Sequence, residues 1–332
     1  MIIRGLVIGL AFCICVQSSA LAWGKTGHRL INDVAVSTLP TSVPRFVRAA
    51  RDTITSLGPE LDRSKDAGQP HDGDRDPGHY IDLLDDGTVA HIQLSALPLS
   101  REAYDTMLRA AGSDQYLTGF LPYSIMDGWQ QVVKDFAIWR VDEIGTTKAQ
   151  SAADRDWFLA DKRERERLTI RDIGVWGHYV ADGSQPLHVS VHFNGWGKYP
   201  NPKGYSQSRS LHARFESDFV DKHAVRAAVL AGVEAYHACG CPIDKHVESY
   251  LDSTLLTVPS LYELEQAHGF DQGSPAAVRF MDSRLSVGAQ MLRDLIVDAW
   301  SASEDATVGY PQIQIRDFES RKVVPTPSAV GR

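Results

Sequence analysis

Cysteine is scarce: the chain has four in 332 residues. Two of them, Cys13 and Cys15, lie in the apolar opening segment. The other two stand together in Cys239-Gly240-Cys241-Pro242, so a disulfide-stapled scaffold is excluded. A zinc ribbon is excluded as well, because no second cysteine pair exists. Spacing alone leaves open whether Cys239 and Cys241 form a tight loop clip or remain thiols. A basic surplus is also missing. The formal net charge is −8, so no general positive field collects nucleic acid or an anionic membrane, and any attraction for phosphate must be local. Three further absences narrow the chemistry. Without a Gly-x-Ser-x-Gly elbow, a His-Glu-x-x-His helix or a phosphate-binding glycine loop, serine-hydrolase, zincin and P-loop mechanisms have no sequence support. No internal repeat is visible.

What is present reads as an ordinary globular composition, 43% hydrophobic and 23% charged. Residues 1 to 22 have the order of an export signal: Arg4, the apolar run Gly5 to Val16, and the small-x-small site Ala20-Leu21-Ala22. That run is too short to span a bilayer. Cleavage between Ala22 and Trp23 is expected to release a periplasmic or secreted protein that begins at Trp23. Beyond it, helical periodicity dominates and period-two alternation is almost absent, which predicts an all-α fold, a single mostly helical domain with long loops. One helix is expected to start near Pro122 and run through Val132, Phe136 and Trp139. Another is expected over roughly Arg167 to Asp182, stopping at Gly183 ahead of Pro186. A third opens at Ser274-Pro275 and carries Val278, Met281, Leu285, Leu292 and Ile296 on one stripe. The alternating charges of 161–167 read as a solvated face. Long loops over 58–78 and 194–205 suggest a cleft, and 303–332 lacks helical period, as a surface wrap or disordered tail would.

Histidines and acids then recur at spacings that suit a metal. His178 and Asp182 stand four apart, on one face of the expected helix, and Pro186 turns the chain so that His188 can return to the same pocket. His212 and Glu216 repeat the four-residue spacing. A newly freed α-amine on Trp23, with a reference pKa near 8, could chelate a metal together with the Trp23 carbonyl oxygen, and His28 could complete the set.

Taken together, Trp23-Gly24-x-x-Gly27-His28, Gly78-His79-Tyr80-Ile81-Asp82, the run from His178 to His188 and the later His212-x-x-x-Glu216 resemble the zinc-dependent single-strand-specific nucleases. Those nucleases share a superfamily with the bacterial zinc phospholipases C. The resemblance spans about two-thirds of the mature chain in the family's order. It implies a catalytic domain over 23–302 with a C-terminal extension at 303–332, and a cleft with three zinc ions. One ion would be held by Asp62, His79, His178 and Asp182, with Asp66 as the reserve for Asp62. A second would be held by His188, His212 and Glu216. The third would use the Trp23 terminus, His28 and a bridging Asp182. Among these, Asp182, His178 and His188 form the implied catalytic centre, while Tyr80 would stack on a base and Asp82 would accept from its edge.

The resemblance therefore implies an exported zinc phosphodiesterase acting on single-stranded DNA, RNA or nucleotides to give 5′-phosphate products. No stable protein partner is implied. Glu216 stands where the better-known nucleases carry Asp, which looks like the phospholipase branch, so a phospholipid substrate is the alternative. A non-catalytic exported zinc-binding protein is the second. The interleaved loop Asn194 to Pro200 would suit a stacked base, a lipid interface or plain surface packing. Histidines 71, 91, 192, 223, 237, 246 and 268 are expected outside the ligand set, His192 being the nearest to it.

Overall fold

The computed structural model describes residues 23–65 and 72–330. Residues 1–22, expected to be an export signal, lie outside the described residues, as do Asp66 and His71. The fold is all-α. Its longer helices are α1 (Gly24–Ser37), α2 (Leu121–Lys148), α3 (Ala152–Asp182), α4 (Ile243–Leu255) and α5 (Pro275–Ala302). Among the described residues strands amount to two short antiparallel pairs, Thr88–Val89 with Ile92–Gln93 and Thr307–Val308 with Ile313–Gln314. Among the described residues no helix is long and apolar enough to cross a membrane.

Helices α2 and α3 form the backbone of the molecule, an antiparallel pair joined through Ala149 to Ser151. Their approach is close because Gly128 faces Trp176: a Cβ at Gly128 would lie 1.9 Å from the Trp176 ring. The indole Nε1–H of Trp176 then donates to the Ile125 carbonyl at 2.9 Å. Helix α1 packs across α3 and α5, burying Ile31, Val34 and Ala35. Its Asn32 side chain is wholly buried and donates to the carbonyls of Ile54 and Gly174, both at 2.9 Å, which fixes α1 against the start of the ligand-bearing half of α3.

Helix α5 begins where its signals place it, with Ser274 Oγ accepting from the Ala277 N–H and proline at the first helical position. Met281, Leu285, Leu292 and Ile296 are fully buried on its stripe. Helix α3 stops at Gly183 as the sequence indicates but starts at Ala152, fifteen residues before the expected Arg167. The charged run 161–167 is therefore the middle of a helix whose solvated face hid its continuity. Residues 303–330 wrap the surface: Val308, Ile315 and Phe318 join Ala137, Val141 and Phe158 in a separate apolar cluster at one end of the α2–α3 pair. Cys239 and Cys241 are bonded to each other.

Candidate metal centre

The last turn of α3 delivers His178 and Asp182 to one point, and five other segments converge on it. Trp23, immediately before α1, is wholly buried. Its indole donates to the Ala181 carbonyl and to Ser184 Oγ, each at 2.9 Å, so Trp23 is clamped beside Asp182. The Trp23 carbonyl accepts from the Gly27 N–H at 3.1 Å. One turn later the His28 ring stacks on His178, with centroids 3.7 Å apart. His28 Nε2 lies 3.6 Å from Asp182 Oδ1 and 3.9 Å from Asp62 Oδ2. His79 reaches the other Asp182 oxygen, Oδ2, at 3.1 Å, and His178 Nε2 at 3.0 Å. Asp62 Oδ1 is 3.6 Å from His178 Nε2.

Past Gly183 a short turn over Pro186–His188 folds the chain back, with the Gln185 side chain accepting from the Leu187 N–H. His188 Nδ1 comes within 3.9 Å of Asp182 Oδ1. His212 and Glu216 sit where a short α-turn widens into a π turn over Arg214–Phe219, a local widening often associated with function. Glu216 Oε2 is 2.8 Å from His212 Nε2 and 3.8 Å from His188 Nε2. Three groups thus have ligand atoms within 4.8 Å of one another: His28, His178 and Asp182; Asp62, His79 and His178; His188, His212 and Glu216. Every candidate ligand named from the sequence is in this region except Asp66, which lies outside the described residues.

The electrostatics of this region are unfavourable for a bare protein. Burial lowers the pKa of His178 well below the ordinary imidazole value, against the carbonyl of Gly58 that favours its charged form. Burial, then the Lys65 ammonium, does the same to His79. Burial also lowers His188. Asp182 is raised well above the usual carboxylate range by burial and then by the negative charge of Asp62. Burial pushes Glu216 the same way, but His212 and His188 outweigh it and hold Glu216 below its ordinary value.

The residues present fit a cation. Buried polar atoms normally find a hydrogen-bond partner, yet Asp182 Oδ1, His188 Nε2, both ring nitrogens of His212 and Glu216 Oε1 have none. His212 Nε2 is close to Glu216 but off hydrogen-bond geometry. Two tautomers are already set: His178 Nδ1 donates to the Gly58 carbonyl at 2.8 Å and His188 Nδ1 to the His79 carbonyl at 2.7 Å. Each therefore turns its Nε2 lone pair inward, as outer partners of metal-ligating histidines do. An imidazole and carboxylate donor set suits zinc.

An open cleft of about 260 Å³ leads to these groups, lined by His79, His188, His212, Lys65, Tyr80, Asp82, Leu117 and Phe193. Tyr80 and Asp82 do face it. The Tyr80 hydroxyl donates to the Tyr116 carbonyl, and burial pushes the Asp82 carboxyl up to about 8. Lys65 is a residue the sequence reading missed. Its Nζ lies 3.1 Å from Asp62 Oδ1, just past the short helix that carries Asp62, with only 12% of its side chain exposed. The signal was a lysine three residues beyond a candidate ligand. Leu117 and Phe193, 66% and 42% exposed, form an apolar rim that no sequence pattern marked.

The loop after Asn194 is packed surface structure. Trp196 is buried, stacked on His192 at 3.7 Å and flanked by Tyr205 and Tyr262, so it has no face for a base. His192 is a strut, bonded to Asp85 and to the Trp196 carbonyl, both at 2.8 Å. His246, set outside the ligand set, stands beside the cysteine pair.

No family model matches the chain, and no curated protein matches it. Among solved structures the chain is similar to the alpha toxin from Clostridium absonum, with 12% sequence identity and a TM-score of 0.38 over 87% of this chain and 68% of the toxin. A likeness of that degree carries no argument about activity.

Proposed function

We propose that this chain is an exported, metal-dependent phosphodiester hydrolase whose buried histidine and carboxylate groups hold zinc. The supporting observation is that histidine and carboxylate ligand atoms converge under the cleft, with Asp182 Oδ1, His188 Nε2, both His212 ring nitrogens and Glu216 Oε1 buried and lacking hydrogen-bond partners. Zinc held there supplies Lewis acidity and a water made acidic enough to act near neutral pH. Asp62, His79, His178 and Asp182, then His188, His212 and Glu216, are the proposed ligands, with His28 and the Trp23 terminus completing a third position. The mature terminus matters because only a free amine can offer its nitrogen, and the Trp23 indole holds that end beside Asp182. Lys65 has a separate task. Its ammonium lines the cleft and is tethered by Asp62, so it can offset charge that grows on a phosphate oxygen as the phosphodiester is attacked.

The finer reading is a nuclease or nucleotidase for single strands giving 5′-phosphate products, supported by Tyr80 and Asp82 in the cleft. A carboxyl titrating near 8 is largely protonated at neutral pH and can donate to a base edge as well as accept from it. Phospholipid is the second reading, and the apolar rim of Leu117 and Phe193 together with Glu216 gives it the firmer footing. Zinc-loaded protein starting at Trp23, incubated side by side with single-stranded DNA, RNA and phosphatidylcholine vesicles, separates them. Cleavage of one phosphodiester class supports the hydrolase and identifies the substrate. Stoichiometric zinc with no cleavage of any of the three would leave a non-catalytic zinc-binding protein.

A further inference from the structure

A second ligand cluster lies away from the cleft. Cys239 and Cys241 end an irregular stretch that leads into α4, and His246 follows in the first turn of that helix. The two sulfurs and a ring nitrogen of His246 lie within 4.8 Å of one another. Cys239 is exposed and the other two are half-buried, so small solutes can reach them. His246 is backed by a carboxylate on α5: its Nδ1 is 3.6 Å from Asp298 Oδ2, and the other oxygen of Asp298 accepts the Tyr236 hydroxyl at 2.5 Å. A carboxylate held from behind and facing one nitrogen of a histidine is the arrangement that orients a ligating imidazole. A solvent-open hollow lined by His246, Met291 and Asp294 lies beside the histidine.

We propose that Cys239, Cys241 and His246 form a redox-gated site for a thiophilic divalent metal, separate from the zinc groups of the cleft. In the bonded form the sulfurs have no thiolate to offer, and the site is closed. A small dithiol opens it: the S–S bond takes two electrons and two protons, yielding two thiols, while the dithiol leaves as its own cyclic disulfide. Metal binding then displaces the two thiol protons to solvent and joins two sulfurs to one imidazole nitrogen, with water as the fourth ligand. Both states fit the same two-residue spacing, so the change is local.

The test uses the zinc-loaded full mature chain, so that the cleft is already filled. After reduction with dithiothreitol and anaerobic desalting, Cd²⁺ is titrated as the probe, following the ultraviolet thiolate-to-cadmium charge-transfer band and total metal by elemental analysis. Cys239→Ser/Cys241→Ser provides the baseline for any exchange in the cleft. The expected result is about one additional cadmium per reduced chain over that baseline, none for the oxidised chain, and unchanged phosphodiester turnover. His246→Gln should weaken binding by roughly tenfold or more while circular dichroism stays constant. A reduced chain that takes up no more cadmium than the double-serine variant overturns the site. So does undiminished affinity in His246→Gln, or a bond that withstands the dithiol in the folded chain. Cadmium uptake and its loss in the variants are read without reference to turnover, so none of the overturning outcomes depends on zinc in the cleft being catalytic.

Discussion

The Nδ1–H of His178 donates to the Gly58 carbonyl at 2.8 Å, and this bond decides which way the imidazole presents its lone pair. Gly58 can supply that carbonyl only because nothing stands on its α-carbon: a Cβ there would lie 2.7 Å from the His28 carbonyl oxygen. Gly58→Ala should therefore push the loop off α1 and misorient His178. Zinc affinity, measured by competition with a chromogenic chelator, should fall about 10- to 100-fold, with a stability loss of about 1–3 kcal/mol. Wild-type affinity in a folded Gly58→Ala protein would show that the carbonyl is not what sets the ring.

Asp182 is costly to the metal-free fold, since burial and its acidic neighbour Asp62 both oppose its charge. Asp182→Asn removes that cost and removes a ligand oxygen from between His28 and His79. Activity should drop by roughly several powers of ten while the metal-free protein melts a few degrees higher, the pattern of a residue kept for function. A variant that loses stability when metal-free, yet keeps its turnover, would place Asp182 in a structural role.

Glu216 should tolerate shortening better than neutralisation. Its carboxylate is held charged by His212 and His188 despite burial. Glu216→Asp should keep measurable turnover and Glu216→Gln should lose about a hundredfold or more, because the ion needs an anionic oxygen. Equal activity of the two variants would return Glu216 to a helix-packing role.

Asp82 gives a pH signature. With its folded pKa near 8 and an unfolded value near 4, the folded chain holds a proton that the unfolded chain has lost between those limits. Its contribution is fully present below pH 4 and disappears as pH rises toward 8. Asp82→Asn, which cannot ionise, should gain on the wild type across that window, by on the order of 1–3 kcal/mol at pH 8 after allowing for solvent in the open cleft. Thermal melts from pH 4 to 9 read this directly. Parallel curves for the two proteins would contradict the raised carboxyl.

Much of the candidate centre was legible in the sequence because four-residue spacing on a helix survives into three dimensions, as His178 with Asp182 does. Helix α5 was legible because Ser274 and Pro275 are local signals. The start of α3 was not, since a helix half exposed over 161–167 has little apolar period to read. Lys65, Leu117 and Phe193 reach the cleft from separate segments, and only tertiary packing brings them there. The pattern around Trp196 leaves a stacked base, a lipid interface and plain packing open, and only the enclosing rings of His192, Tyr205 and Tyr262 select packing.

Elemental analysis of metal-replete protein tests the central claim most directly, comparing a chain that begins at Trp23 with one carrying a single extra residue before it. The account predicts about three zinc ions per chain for the free terminus and about two for the blocked one, with folding unchanged and turnover reduced in the latter. Equal zinc in both would remove the terminal position, and zinc well below one per chain in the first would contradict the metal centre as a whole.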